Sequence, residues 1–341
     1  MKNKKSKFKR IILLSISVIM ITSLGLGAFS IFNKNNINTL IPNSLASEEE
    51  QNEIIAEIGN MSINGDSTSE LADYIDKNIK KLNTDNASLS VVYLYYSALG
   101  NTEKSRKIMA SCEDEFLEIA NSGIDIKSKE FEKSIKTDLG KEAYKQIKEN
   151  YNRMIYTGSF ITIDVNNDYI VEKYGEYIKQ DLRDNMKFLS GVYFKYPNSD
   201  EEIITSVGES IYNIEEMIKR NIDSAFIVTW TSSLKELKNY YFLVSLTDDF
   251  IDENKKVKDI HIEGYKKNIE KYKDSEIAKE TEEFLKVLEE NKWIIDDKIV
   301  ETNTKNVEEA IKKYTKNTTG TGDMFEQIQS QINESLDEKL K

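Results

Sequence analysis

Residues 168–196 read DYIVEKYGEYIKQDLRDNMKFLSGVYFKY and carry the longest helical pattern in the chain. Apolar side chains recur there every three or four residues, at Val171, Tyr174, Ile178, Leu182, Met186, Leu189 and Tyr193. This spacing places them on one face of an α-helix. Pro197 ends the pattern, because proline cannot donate to the helical hydrogen-bond ladder. The pattern therefore predicts one long helix that begins near Asp168 and ends before Pro197.

The same period extends outward from this segment and predicts a mainly α-helical chain. A clear helix start is Ser67, because Glu70 three residues later completes a capping box. Further helices are predicted at about 87–99, 102–121, 129–156, 200–222, 233–246, 256–271, 275–291, 306–316 and 323–339. Three stretches have patterns typical of strands, namely 161–165, 226–231 and 293–300. The sequence is therefore compatible with a minor β component.

The composition excludes several classes of protein. The 341 residues include only 2 Pro and 14 Gly, too few for the frequent turns of an all-β sandwich or barrel. The single cysteine, Cys112, excludes an intrachain disulfide and a multi-cysteine metal site. The single histidine, His261, excludes any site that needs two histidines from one chain. The net charge of -12 would be repelled by phosphate backbones, so we expect no nucleic-acid partner.

The N-terminal residues predict a position at or beyond a membrane. Residues 1–10 contain six basic side chains and no acidic one, and residues 11–32 are uncharged and mostly apolar. A helix over 11–32 would be about 33 Å long, enough to cross a hydrocarbon core of about 30 Å. The basic flank favours a cytoplasmic N-terminus and an extracytoplasmic body. Alternatively, residues 11–32 belong to a signal peptide that is cleaved after Ala46, which would release a secreted protein.

These features divide the chain into five parts. Residues 1–10 are a basic flank, 11–32 a transmembrane helix or signal segment, and 33–47 a linker. Residues 48–317 form the body, and 318–341 form a hinge and a terminal helix. The predicted fold class is mainly α, with a transmembrane helix followed by an all-helical extracytoplasmic body. A solenoid-like arrangement of that body is one option.

Residues 86–115 resemble a single tetratricopeptide-like helical hairpin. The residues that carry the resemblance are Leu89, Val92 and Tyr96 in the first helix and Ser105, Met109 and Cys112 in the second. Small side chains in the second helix would let the pair approach closely. The resemblance implies a protein-binding scaffold, and an ordinary αα-hairpin is the alternative, since the chain shows no second copy at the repeat period.

The segment from Asp164 to Asp168 contains the candidate metal ligands. Asp164, Asn166 and Asp168 alternate as at the start of an EF-hand or dockerin-type loop, where oxygen ligands converge on calcium. Tyr169 stands where such loops have their turn glycine. The alternative is an Asx-rich turn in which Asn167 or Asp168 caps the following helix. We expect no other cofactor.

Two groups of adjacent aromatic residues are the candidate partner contacts. The residues are Tyr93, Tyr95 and Tyr96 in one group and Tyr240 and Tyr241 in the other. Neighbouring aromatic side chains on a helix cover more than one face. At least one aromatic in each group is therefore expected on the surface or in a helix–helix contact.

No motif of an established enzyme class is complete in the chain, and phosphate loops, zinc-protease motifs and nucleophile elbows do not occur. We therefore predict a non-catalytic, membrane-anchored binding or scaffold protein of a bacterial envelope. Its expected partner is another envelope or secreted protein. The alternative is a cell-wall hydrolase with two carboxylates about 5–9 Å apart in a cleft.

Overall fold

A computed structural model describes residues 45–64, 67–197, 199–243 and 250–315. Within these residues the chain is mainly helical, with a minor sheet. The described residues form two compact units, divided after Ser190. We refer to residues 45–190 as unit 1 and to residues 191–315 as unit 2.

Unit 1 contains nine helices and a β-hairpin among its described residues. The helices before the hairpin are α1 (Glu48–Asn64), α2 (Thr68–Asn78), α3 (Thr84–Gly100), α4 (Thr102–Ala110), α5 (Glu113–Asn121), α6 (Lys129–Ser134) and α7 (Asp138–Glu149). The hairpin consists of strands β1 (Asn152–Tyr156) and β2 (Ile161–Val165), and helices α8 (Asn167–Tyr174) and α9 (Gln180–Leu189) follow it. A short 3-10 helix, Ile79–Lys81, continues α2.

The hairpin forms part of the unit 1 core. Strands β1 and β2 are antiparallel, and Met154 is the register partner of Ile163. Both side chains are buried in a cluster with Phe116 and Phe131. The strand predicted at 161–165 is therefore confirmed, and its alternating pattern reflects one buried face. The capping box of Ser67 and Glu70 is also present at the start of α2.

Unit 2 is a bundle in which one helix contacts three others. Its helices are α10 (Ile203–Arg220), α11 (Ile227–Tyr241), α12 (Asp259–Lys271), α13 (Glu276–Glu290) and α14 (Asp297–Thr315). Helix α10 packs against α11, α12 and α13, and α11 packs against α14. Helices α10 and α12 approach so closely at Gly264 that a Cβ atom added there would lie only 2.8 Å from Cβ of Ile204.

The predicted fold class needs correction in one respect. Among the described residues, none of the helices combines the length and the apolar character that a membrane-spanning segment needs. The longer helices, such as α10 and α14, are amphipathic and carry charged side chains. The mainly helical character is confirmed, and the hairpin is the minor β component with which the sequence is compatible. The predicted membrane segment 11–32 and terminal helix 323–339 lie outside the described residues.

The long helix predicted from Asp168 is two helices, α8 and α9. The chain turns at Gly175, where a Cβ atom would lie 2.4 Å from the carbonyl oxygen of Val171. The backbone amide of Lys179 then donates to Oγ of Ser88 in α3, at 2.9 Å. Apolar residues on both sides of the turn, including Tyr174 and Leu182, are buried. The apolar spacing therefore continues across a break in the helix.

Other predicted element boundaries also need correction. The predicted helix 102–121 is broken between α4 and α5, and the predicted helix 129–156 is divided into α6, α7 and β1. The strand predicted at 226–231 is instead the beginning of α11. At 293–300 the chain forms a single isolated bridge, between Ile294 and Lys256, before α14 begins.

The close approach of α10 and α12 gives a testable expectation. Alanine stabilises a helix interior more than glycine does, by about 1 kcal/mol. Gly264→Ala should nevertheless destabilise unit 2 by about 1–2 kcal/mol, because its methyl group would meet Ile204 and overpack the core. Urea unfolding followed by tryptophan fluorescence measures this, since both tryptophans, Trp230 and Trp293, lie in unit 2. Ser232→Ala, at an exposed position of α11, is the control and should change little.

Candidate functional site

The predicted metal ligands lie at the base of the hairpin, beside a buried arginine. Arg153 in β1 is the register partner of Asp164 in β2. Its Nη2 atom lies 3.3 Å from Oδ2 of Asp164, and its Nη1 atom lies 2.9 Å from Oδ2 of Asp168 in α8. The arginine side chain is only 9% exposed. We call Arg153, Asp164 and Asp168 the hairpin cluster.

The structure brings two of the three candidate metal ligands together. Asp164 and Asp168 both contact Arg153, whereas Oδ1 of Asn166 accepts a hydrogen bond from the amide of Tyr169 and caps α8. The guanidinium group thus occupies the place between the carboxylates that a cation would need. Within the described ranges, no group of three or more His, Cys, Asp and Glu side chains could hold a metal ion.

Burial sets the electrostatics of the hairpin cluster. Desolvation raises the pKa of Asp164, and the charge and hydrogen bonds of Arg153 only partly oppose this effect. The neighbouring Tyr95 is buried as well, and burial raises the pKa of its phenol, with a contribution from Asp164. Neither group is an accessible base. The arrangement can therefore hold the hairpin to α8, but it offers little to a substrate in solution.

A ring of polar contacts lies next to this cluster. Nζ of Lys173 donates to the hydroxyl of Tyr151 at 2.9 Å and lies 2.6 Å from Oδ2 of Asp76. The hydroxyl of Tyr174 donates to Oδ1 of Asp76 at 2.8 Å and lies 3.4 Å from the hydroxyl of Tyr151. The ring thus connects α2, α8 and the residue before β1.

The lysine of this ring is not poised as a nucleophile or base. Partial desolvation would lower its pKa, but the hydrogen bonds that Lys173 donates to Asp76 and Tyr151 outweigh that effect and raise its pKa. The ammonium group is therefore protonated at neutral pH. Sequence reasoning missed this ring, because Asp76 and Tyr174 lie 98 residues apart and no local pattern connects them.

Unit 2 contains a second cation between two carboxylates. Nζ of Lys238 in α11 lies 2.7 Å from Oε1 of Glu215 in α10 and makes a short contact with Oε2 of Glu280 in α13. The side chains of Lys238 and Glu215 are each 1% exposed, and that of Glu280 is 21% exposed. We call these three residues the bundle cluster. No local sequence pattern indicates this cluster, since its three residues come from three helices.

Two of the five predicted partner contacts are buried, and the other three, Tyr93, Tyr96 and Tyr240, are partly exposed. Tyr95 and Tyr241 belong to the core, so neither side chain can contact a partner directly in this structure. The hydroxyl of Tyr93 lies over Gly59 of α1. The Tyr96 ring packs edge-on against Tyr95, and the Tyr240 ring packs edge-on against Phe250. Because Tyr93, Tyr96 and Tyr240 keep part of their surface exposed, their role as partner contacts stays a prediction.

Comparisons with known proteins provide no counterpart for either cluster. No family model matches the chain, and no curated protein or solved structure is significantly similar to it. The hairpin of residues 86–115 also differs from a tetratricopeptide unit in its packing. Its second helix is interrupted after Ala110, and α4 packs mainly against α7 and β2 rather than against α3. The two helices of this segment therefore contact each other only slightly.

Loss of the arginine should destabilise unit 1. Arg153→Met would leave Asp164 buried without a counter-charge, at a cost of about 3–5 kcal/mol in the free energy of unfolding. The double variant with Asp164→Asn should recover part of this loss. Urea unfolding followed by far-UV circular dichroism measures both. Lys145→Met removes only an exposed pair with Glu149 and should cost less than about 0.5 kcal/mol. An equally small loss for Arg153→Met would contradict the structural role.

The same geometry predicts the response to calcium. Because the guanidinium group already lies between Asp164 and Asp168, about 1 mM Ca²⁺ should leave the melting temperature of the chelator-treated protein unchanged. Thermal unfolding and isothermal titration calorimetry test this, with Mg²⁺ as the comparison ion. A binding heat specific to Ca²⁺ that disappears in Asp164→Asn would restore the candidate ligands as a metal site.

Proposed function

We propose that the protein is a non-catalytic helical scaffold that binds another protein of the envelope or a secreted protein. The observation that most supports this proposal is that the carboxylates that converge in the structure are already paired with cationic side chains of the chain itself. Asp164 and Asp168 face Arg153, and Glu215 and Glu280 face Lys238. In both clusters the chain itself supplies the cation.

This state argues against the alternative of a carboxylate-dependent hydrolase. Such an enzyme needs two carboxyl groups that reach opposite sides of a bound glycosidic bond. Glu215 is nearly inaccessible, and Asp164 is mostly buried behind its ion pair. Binding of a substrate at either cluster would require the ion pairs to separate first. A role in holding helices together fits these groups better.

Two exposed aromatic side chains are the partner contacts that we propose from the geometry. Phe160 lies in the turn between β1 and β2 and is 51% exposed. Tyr169 lies in the first turn of α8, is 42% exposed, and packs on Tyr151 with 5.3 Å between ring centroids. Aromatic side chains held by the backbone of a turn or a stacked neighbour lose little entropy on binding. They are therefore better anchors than the five tyrosines predicted from the sequence.

The location outside the cytoplasm stays a prediction from residues 1–46, including secretion after cleavage at Ala46. Protease added to intact cells should digest the body if it lies outside and should spare it if it lies inside. Mass spectrometry of the N-terminus of the recovered protein would then distinguish an intact N-terminal segment from a cleaved one.

Site-specific crosslinking tests the binding role. A photo-crosslinking amino acid at position 160 or 169 of the full-length protein should capture the same partner protein in cells. The same group in place of Glu118, an exposed polar residue of α5, is the matched control and should capture it much less. Phe160→Ser and Tyr169→Ser should lower recovery of that partner by roughly tenfold, as expected for loss of an aromatic anchor.

The outcome that would contradict the proposal is equal labelling at all three positions, with no protein enriched at 160 or 169. Circular dichroism of each variant checks that the fold is retained. If the fold is intact and no partner is enriched, cell-wall fragments should be tested as substrates. Glycan hydrolysis that is lost in Glu280→Gln would establish the hydrolase alternative.

A further inference from the structure

The bundle cluster carries an excess negative charge in the interior of unit 2. Two carboxylates, Glu215 and Glu280, share the single ammonium group of Lys238. Glu215 and Lys238 are almost completely removed from water. Among the described residues, Oε2 of Glu215 has no hydrogen-bond partner. A carboxylate oxygen without a donor in such a place is costly, because burial removes its hydration.

The charged groups around the cluster do not balance this excess. Lys219 of α10 also attracts Glu215, but its ammonium group is already paired with Glu216 at 2.8 Å. Lys271 of α12 is paired with Glu209, and Lys313 of α14 with Glu276 of α13. Tyr314 of α14 also lies near the carboxylates, and burial together with their charges raises the pKa of its phenol. That group is therefore neutral. Helix α11 contributes Lys238 and the phenol of Tyr241, and burial, with a contribution from Glu280, raises the pKa of that phenol, so it is neutral as well.

We infer that Glu215 is a proton-binding site that makes unit 2 more stable as the pH falls. A proton on Glu215 removes the excess charge and leaves a balanced ion pair between Lys238 and Glu280. Glu215 is the site of protonation, because it is far more buried than Glu280. Proton uptake requires access of water to Glu215, which is buried, during a transient opening of the bundle.

The direction of the pH effect follows from burial. Desolvation raises the pKa of Glu215, and the attraction of Lys238 only partly offsets this effect. The folded chain therefore binds this proton more tightly than the unfolded chain. Its contribution to stability increases as the pH falls through the raised pKa and levels off below the usual value for glutamate.

Other carboxylates of unit 2 act in the opposite sense. Hydrogen bonds and charges of Lys271 and Lys313 outweigh partial desolvation and lower the pKa values of Glu209 and Glu276. Their contributions to stability are lost as the pH falls. The total pH dependence of the stability of unit 2 therefore contains contributions of both signs. Only a comparison of variants isolates the contribution of Glu215.

Urea unfolding of the full-length protein, followed by tryptophan fluorescence between pH 4.5 and 8.5, tests the inference. Glu215→Gln resembles the protonated side chain and should be more stable than the wild type at pH 8.5. The ratio of the two unfolding constants should shrink as the pH falls, by about tenfold per pH unit between the raised and the usual pKa. Glu282→Gln, at an exposed position of α13, should follow the wild type at every pH.

A second variant keeps the test decisive if Glu215→Gln does not fold. Glu280→Gln leaves one ammonium group facing one carboxylate, so it should also remove the acid-dependent gain in stability. A stability difference that is constant across the pH range for both variants would overturn the inference. Greater stability of the wild type than of Glu215→Gln at pH 8.5 would overturn it as well.

Discussion

Each compact unit buries one cationic side chain between two carboxylates, and the packing around it depends on that arrangement. A buried charge is tolerated only when partners of opposite sign are held against it. In unit 1, Arg153 therefore joins β1, β2 and α8. In unit 2, Lys238 joins α10, α11 and α13, and its partner Glu280 lies 42 residues away in the sequence. Hydrophobic burial supplies most of the stability, and these pairs connect elements that are distant in the sequence.

This constraint also determines what the buried polar groups can do. A group that neutralises a buried charge cannot easily be released to bind a substrate, because separating the pair exposes two uncompensated charges. The clusters are thus suited to holding a shape, and the proposed binding role is assigned to exposed aromatic side chains. The two clusters differ in their exposure to solvent, since the side chain of Asp168 is partly exposed whereas that of Glu215 is buried. Only the bundle cluster combines an excess charge with nearly complete burial, which is why proton binding is inferred there.

Local sequence patterns predicted the helical character, the capping box at Ser67 and strand β2, because these depend on neighbouring residues. These patterns failed where contacts between residues that are distant in the sequence determine the local structure. The turn at Gly175 is completed by Ser88 of another helix, so the helix break could not be inferred from periodicity. Several helices also end at left-handed residues other than glycine, including Tyr151 and Lys292, which removes the usual signal for a helix end.

The candidate site shows the same limitation of sequence reasoning. The alternation of Asp164 and Asp168 correctly indicated carboxylates that converge, but it could not show that Arg153 lies between them. The β-branched start of α11 suggested a strand, yet Thr231 donates its hydroxyl hydrogen bond to the carbonyl of Ile227 within a helix. The tyrosines chosen as partner contacts are on helices that pack on several sides. Helix α3, for example, contacts α1, α2, α8 and β2, which leaves Tyr95 buried.

The most direct test of the central claim is a comparison of Lys238→Met with the triple variant Lys238→Met/Glu215→Gln/Glu280→Gln. Urea unfolding at neutral pH, followed by tryptophan fluorescence, gives the free energy of unfolding of unit 2. If the buried cation determines the packing, the single variant should lose about 3–5 kcal/mol, because two carboxylates remain without a counter-charge. The triple variant should regain most of that loss. A single variant as stable as the wild type, or a triple variant no better than the single one, would contradict the account.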